Sequence, residues 1–136
     1  SGKGGQGFGL SHAERTAIEL RAMRFARQLY EQDGWDVVDK SGSNPFDLLA
    51  TRNDEIRYIE VKGTTGSGVS IILTHGEVKH VRRHRRCSAL VVVSGISLTE
   101  SDGVWTGSGG DLTIHEDPWV IDSSALEATE YRYTLK

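Results

Sequence analysis

The chain is poor in the residues that mark several protein classes. It has one cysteine, Cys87, among 136 residues, which excludes an internal disulfide and a cysteine-based zinc cluster. Cys87 reads instead as a small buried hydrophobe at a junction between helix and strand. No apolar run approaches the length needed to cross a bilayer, and Ser1-Gly2-Lys3-Gly4-Gly5 carries no hydrophobic signal segment. A reducing, cytoplasmic setting with no membrane partner is therefore expected. Positive charge is not in excess either: the formal net charge is -3, so any attraction to nucleic acid must come from a local patch. Internal repeats are absent. What remains is an ordinary apolar fraction of 37%, which argues against disorder, on a length that suits one core and is too small for two.

The most informative stretch runs from Asn44 to Gly63. Apolar runs flank the polar turn Arg52-Asn53-Asp54-Glu55, whose Asn-Asp pair tolerates left-handed backbone angles, so the segment reads as two strands in a hairpin. Pro45 cannot donate to a ladder and marks the beginning of the first strand, which carries Asp47. In the second strand, alternation puts Tyr58, Glu60 and Lys62 on one face and Ile59 and Val61 on the other. Opposed side chains of antiparallel neighbours come within contact range, so Asp47 and Glu60 can converge on one cation. Two carboxylates with a carbonyl oxygen, that of Val61, suit a hard divalent ion such as magnesium, with manganese as a substitute.

Asp47 followed at hairpin distance by Glu60-Val61-Lys62 resembles the D…(D/E)-x-K signature of the PD-(D/E)XK nuclease superfamily. The run from Tyr58 to Thr65, with Leu73-Thr74-x-x-Glu77 and the Leu90-Val91-Val92-Val93 strand, is similar more narrowly to the NO VEIN C-terminal-like family within it. The likeness extends from about Ser11 to the C-terminus. It implies an α/β domain with a restriction-endonuclease-like core, a central mixed sheet flanked by helices. It also implies a metal-dependent endonuclease acting on DNA phosphodiesters, as a module of a larger DNA-processing or restriction protein. Asp47, Glu60 and the Val61 carbonyl would hold the metal, and Lys62 would orient the attacking water or stabilise developing charge. A glutamate of the first helix often joins such sites; the position that carries over is Glu19, for which a solvated helix glutamate is the equal alternative.

In chain order, the Gly-rich residues 1–10 read as a linker or fusion remnant and residues 11–136 as the domain. Ser11 and Glu14 form a capping box for a helix to about Gln32, with Ala17, Ile18, Ala22, Phe25, Ala26 and Leu29 as its buried stripe and Gly34 as its stop. Trp35 to Asp39 is a strand that completes a three-stranded meander. Gly63 to Gly68 imitates a phosphate cradle without the Gly-Lys-Ser/Thr ending of a P-loop, and a flexible bend is the preferred reading. Val69 to Leu73 reads as a strand. Thr74 with Glu77 caps a helix from His75 to about Arg86, and Ala89 to Ile96 is a strand buried on both faces, reached by a crossover. Ser97 to Asp111 reads as a long mobile loop, Leu112 to His115 as a short strand, Ser123 to Ala128 as a turn of helix, and Tyr131 to Leu135 as a final edge strand.

The second helix carries the one dense basic cluster, with Lys79, Arg82, Arg83, Arg85 and Arg86 as candidate contacts to DNA or RNA phosphates. Part of that charge is accounted for by end-capping of the helix dipole. His80 and His84, one turn apart, form half of a zinc site without a third ligand, or simply belong to the basic face. The main rival to a nuclease is a non-catalytic module that binds DNA or senses modified DNA on the same fold. A more distant rival is a protein-interaction domain using Trp105 and Trp119.

Overall fold

A computed structural model describes residues 9–135. The linker expected over 1–10 thus falls, except for Gly9 and Leu10, outside the described residues, and Leu10 itself packs against the core.

Ser11 caps helix α1 (His12–Gln32): its hydroxyl accepts from the Glu14 N–H while the Glu14 carboxylate accepts from the Ser11 N–H. This reciprocal pairing satisfies two of the donors that a helix start leaves open. The helix stops at Asp33, and Gly34 takes φ 85° to turn the chain. Its buried stripe is Ala17, Ile18, Ala22, Ala26 and Tyr30. Phe25 is half-buried against the core, whereas Tyr30, rather than Leu29, supplies the last buried position.

Strands β1 (Asp36–Asp39), β2 (Leu48–Arg52) and β3 (Glu55–Gly63) form the expected antiparallel meander, closed between β2 and β3 by Asn53 at φ 54°. Helix α2 (His75–Arg83) returns the chain to β4 (Ser88–Ser94), which pairs parallel to β3. β7 (Asp111–Glu116) then pairs antiparallel to β4, giving the order β1-β2-β3-β4-β7. The domain is the mixed α/β architecture that the resemblance implies. β4 is buried at every position except Ser94, as its unbroken aliphatic run requires.

Two layers cover the sheet. On one face α1 packs through Ile18, Ala22 and Ala26 onto Leu48, Ala50, Ile59, Val61, Val91 and Val93. A Cβ on Gly63 would stand 2.8 Å from the Ala22 Cβ, so only glycine lets helix and strand approach this closely. On the other face lies a smaller cluster of Val81, Leu90, Val92 and Trp119, joined by Ile71, Leu73 and Ile121.

Several expectations fail for identifiable reasons. Ser97 to Asp111 is not a loop but a hairpin, β5 (Ser97–Ser101) and β6 (Val104–Ser108), turned by Asp102 and Gly103 at φ 53° and 80°. Asp-Gly between alternating residues is the turn signal for such a hairpin. The hairpin rests on α1, where a Cβ on Gly107 would come within 2.9 Å of the Ala17 carbonyl. Val69 to Leu73 is no strand; Ile71 and Leu73 instead pad the second cluster. Helix α2 ends at Arg83 rather than about Arg86, with His84 as its C-cap. Only a 3-10 turn, Ser123–Ala125, forms where a turn of helix was expected. Tyr131 to Leu135 alternates like a strand but forms no strand among the described residues; Tyr131 and Arg132 instead line a cavity with Ile72, Thr74, His75 and Val78. Trp119 is buried and Trp105 half-buried, which removes the exposed surface that a Trp-based protein-interaction domain requires. Cys87 sits half-buried between α2 and β4.

Candidate functional site

The alternation of β3 separates two chemistries. Ile59 and Val61 enter the α1 core, while Tyr58, Glu60 and Lys62 point to the α2 layer. On β2, Leu48 and Ala50 join that same core, which leaves Asp47 on the α2 side with Glu60 and Lys62. Asp47 lies one residue before β2, its N–H donating to the Ile59 carbonyl at 2.9 Å, and its Oδ2 accepts from the Val61 N–H at 2.8 Å. Asp47, Glu60 and Lys62 are thus buried on the same face of the sheet, with Asp47 tied to the β3 backbone at Val61.

A fourth charged group completes the cluster. Glu77, read from the sequence as the partner in a capping box, does form that box with Thr74. Its Oε1 accepts from the Thr74 N–H at 2.8 Å and also from Lys62 Nζ at 3.0 Å. Lys62 Nζ stands 3.1 Å from Glu60 Oε1, so one ammonium bridges two carboxylates. The sequence signal for Glu77 is its place in Thr74-x-x-Glu77. A single residue cannot reveal from sequence that it caps a helix and also reaches into the layer below.

Glu19 is not part of this cluster. It lies on α1, which covers the opposite face of the sheet through Ile18 and Ala22, and its side chain is half-buried there. The solvent-bordering reading of Glu19 is the one that fits, and the acid contributed by a helix comes from α2.

Burial and charge determine what the cluster can do. Asp47, Glu60, Lys62 and Glu77 are at most 4% exposed, and they are the only buried charged residues among the described residues. Glu60 and Glu77 face the one ammonium, and with Asp47 the four buried groups sum to a formal -2 if all are ionised. Charges so placed are costly unless compensated. Burial pushes the Glu60 carboxyl up to about 7, against the attraction of Lys62 and with repulsion from Glu77 adding to the rise. Burial also acts to raise Glu77, but hydrogen bonds with Glu60, the Thr74 N–H and Lys62 outweigh it and hold that carboxyl below its usual range. Glu60 thus keeps the more basic carboxylate of the pair and Glu77 the more acidic one. Hard oxygen donors and a deficit of positive charge fit a divalent cation in kind. Among the described residues no three His, Cys, Asp or Glu side chains are arranged to hold an ion.

The basic candidates lie outside this cluster. Lys79, Arg82 and Arg83 are exposed on α2, and Arg85 and Arg86 are exposed in the turn after it. Arg82 donates to Ser123 Oγ at 3.0 Å, and the Arg85 carbonyl accepts from the Trp119 N–H at 3.2 Å, so part of this patch anchors the following segment. Between patch and cluster lie four half-buried rings, Phe46, Tyr58, His80 and His84, with neighbouring centroids 4.6–5.1 Å apart. Burial, then His84 and Arg83, hold His80 below the usual histidine range. The pairing of His80 with His84 is with aromatic rings, not with a further metal-binding side chain.

Among the described residues no helix is long and apolar enough to cross a membrane. Neither a curated protein nor a solved structure matches the chain significantly. A family model described as "Protein NO VEIN, C-terminal" matches residues 18–105, which takes in α1 from Ile18 onward, the meander with Asp47, Glu60 and Lys62, α2 with Glu77, β4, and β5 through the start of β6. That match covers 88 of the 136 residues, and the chain belongs to the NO VEIN C-terminal family.

Proposed function

We propose that this domain is a magnesium-dependent nuclease of the PD-(D/E)XK type that hydrolyses DNA phosphodiester bonds. The observation that carries this reading is the gathering of Asp47, Glu60 and Lys62 on one buried face with three carboxylates to one ammonium. Asp47, Glu60 and the Val61 carbonyl would hold the cation, which when bound polarises a phosphate and lowers the pKa of an attacking water. Lys62 supplies a positive charge on the same face for the charge that develops on the phosphate. Glu77 is a positioning residue: by accepting from Lys62 Nζ it fixes where that charge sits. Exposed Lys79, Arg83, Arg85 and Arg86 offer phosphate contacts that orient the substrate without reading its sequence. The family's description as a C-terminal region supports a module that works beside other domains of a longer protein. Calorimetric titration with magnesium and manganese tests the reading. Wild type is expected to bind, and Asp47→Ala to lose binding; absence of binding in both overturns it.

One observation favours a second reading. Asp47 and Glu60 are 1% and 2% exposed and Lys62 is clamped between Glu60 and Glu77, an arrangement that also suits a purely structural ion cluster. The domain would then bind DNA, or sense modified DNA, without cutting it. Affinity that falls steeply with salt, with no cleavage in any divalent metal, selects this alternative.

A further inference from the structure

The four rings between the basic patch and the carboxylates belong to neither apolar core. Phe46 immediately precedes Asp47, Tyr58 shares a strand face with Glu60 and Lys62, and His80 and His84 follow Glu77 along one side of α2. The helix therefore lies over β3 with Glu77 above Lys62 and the histidines above Tyr58. Ring centroids are 4.9 Å apart for Phe46 and Tyr58, 4.9 Å for Tyr58 and His80, and 4.6 Å for His80 and His84. All four are half-buried, so each residue of the cluster keeps some surface toward solvent. Exposed Lys79 and Arg83 flank the histidines on the same helix.

We infer that the Phe46, Tyr58, His80 and His84 rings form a stacking platform for an unpaired base, and that single-stranded DNA is the preferred ligand of this face. Aromatic rings beside a positively charged track are the combination that binds single strands without sequence preference, because every base has a π-face. A base inside a duplex is stacked on its neighbours and cannot reach such a platform without being extruded. Tyr58 and Glu60 are two residues apart on one strand face, about 6–7 Å at strand spacing. On the proposed function, a base on the rings would set the adjoining phosphate toward the end of the sheet face that holds the carboxylates. Burial, with His84 and Arg83 nearby, disfavours the charged form of the His80 ring. The inference rests on the nuclease reading for the role of that phosphate; the stacking itself does not need metal.

The test is fluorescence anisotropy in EDTA-containing buffer, using a short labelled oligothymidylate and a labelled hairpin duplex of matched charge. Wild type should bind the single strand more tightly than the duplex. Phe46→Ala and His84→Ala should each weaken oligothymidylate binding about tenfold and leave the duplex unaffected. His84→Phe, which retains a ring, should keep single-strand affinity, and melting curves establish that each variant is folded. His84→Phe also preserves the comparison if an alanine variant does not fold. No binding of the oligothymidylate, a preference of wild type for duplex, equal losses on both ligands, or His84→Phe as weak as His84→Ala would each overturn the platform. Failure of the nuclease reading would show separately, as intact stacking without metal-dependent cleavage.

Discussion

The two faces of β3 come from one nine-residue strand and differ in almost every physical respect. Toward α1, Ile59 and Val61 meet Ile18, Ala22 and Ala26, and the close approach depends on Gly63 having no Cβ. Toward α2, Glu60 and Lys62 are as deeply buried as the apolar residues behind them, but they meet another carboxylate and a row of rings. The first face gains stability from apolar area removed from water. The second gives some of that stability up to keep charged groups dry, where their interactions are strong and the Glu60 and Glu77 carboxyls are displaced in opposite directions. A strand that is core on one side can thus hold a reactive constellation rigidly on the other.

That contrast can be broken from either side. The largest effect is expected from Lys62→Met, which leaves Glu60 and Glu77 buried without their shared cation. Unfolding free energy should fall by about 3–5 kcal/mol, as for other buried pairs that lose one partner. Chemical denaturation measures it, and a loss below about 1 kcal/mol would mean the ammonium compensates little. On the apolar face, Ile18→Ala should cost about 2–5 kcal/mol while leaving metal and DNA binding unchanged.

Titration separates the faces further. Folding raises the Glu60 carboxyl to about 7, so in metal-free buffer the native state holds a proton that the unfolded chain releases near its ordinary value of about 4.5. The Glu60 contribution to stability must therefore fall as pH rises from about 4.5 to about 7 and level off above. Glu60→Gln removes this dependence, so its melting temperature should gain on that of wild type as pH rises through that window. A constant difference between pH 4.5 and 8 would contradict the displaced proton affinity. The smallest effect belongs to the patch outside the cluster. Arg82→Gln with Arg85→Gln should flatten the slope of log affinity against log salt by up to roughly one unit per lost phosphate contact. The cost in stability should be about 1 kcal/mol or less, through the helix end and the Arg82 bond to Ser123. Reduced stability with untouched affinity would confine these arginines to anchoring.

The same contrast explains how much of the molecule the sequence discloses. Period-two alternation from Tyr58 to Lys62 assigns both faces of β3 correctly, and the capping boxes at Ser11 and Thr74 locate both helix starts, because these signals are local. Glu19 is misplaced for a non-local reason: its helix position is right, yet which face of the sheet that helix covers is decided by Gly63 and Ile18 meeting across the fold. Glu77 is legible as a cap but not as a partner of Lys62, since that contact depends on how α2 lies over β3. The hairpin at Asp102-Gly103 was locally encoded and outweighed by the surrounding polar, Gly-rich composition. Tyr131 to Leu135 has strand periodicity but forms no strand among the described residues, so alternation prepares a segment for pairing without supplying an edge.

The central claim, that the polar face of β3 is a metal-dependent phosphodiesterase site, is tested most directly by nicking of supercoiled plasmid in magnesium and in manganese, with Asp47→Ala and Lys62→Ala alongside wild type. The account predicts that wild type converts supercoiled to nicked or linear DNA only with divalent metal. It also predicts that both variants lose the activity by a factor of at least about a hundred while still binding DNA. Absence of nicking by wild type in both metals, or equal nicking by wild type and both variants, would contradict it.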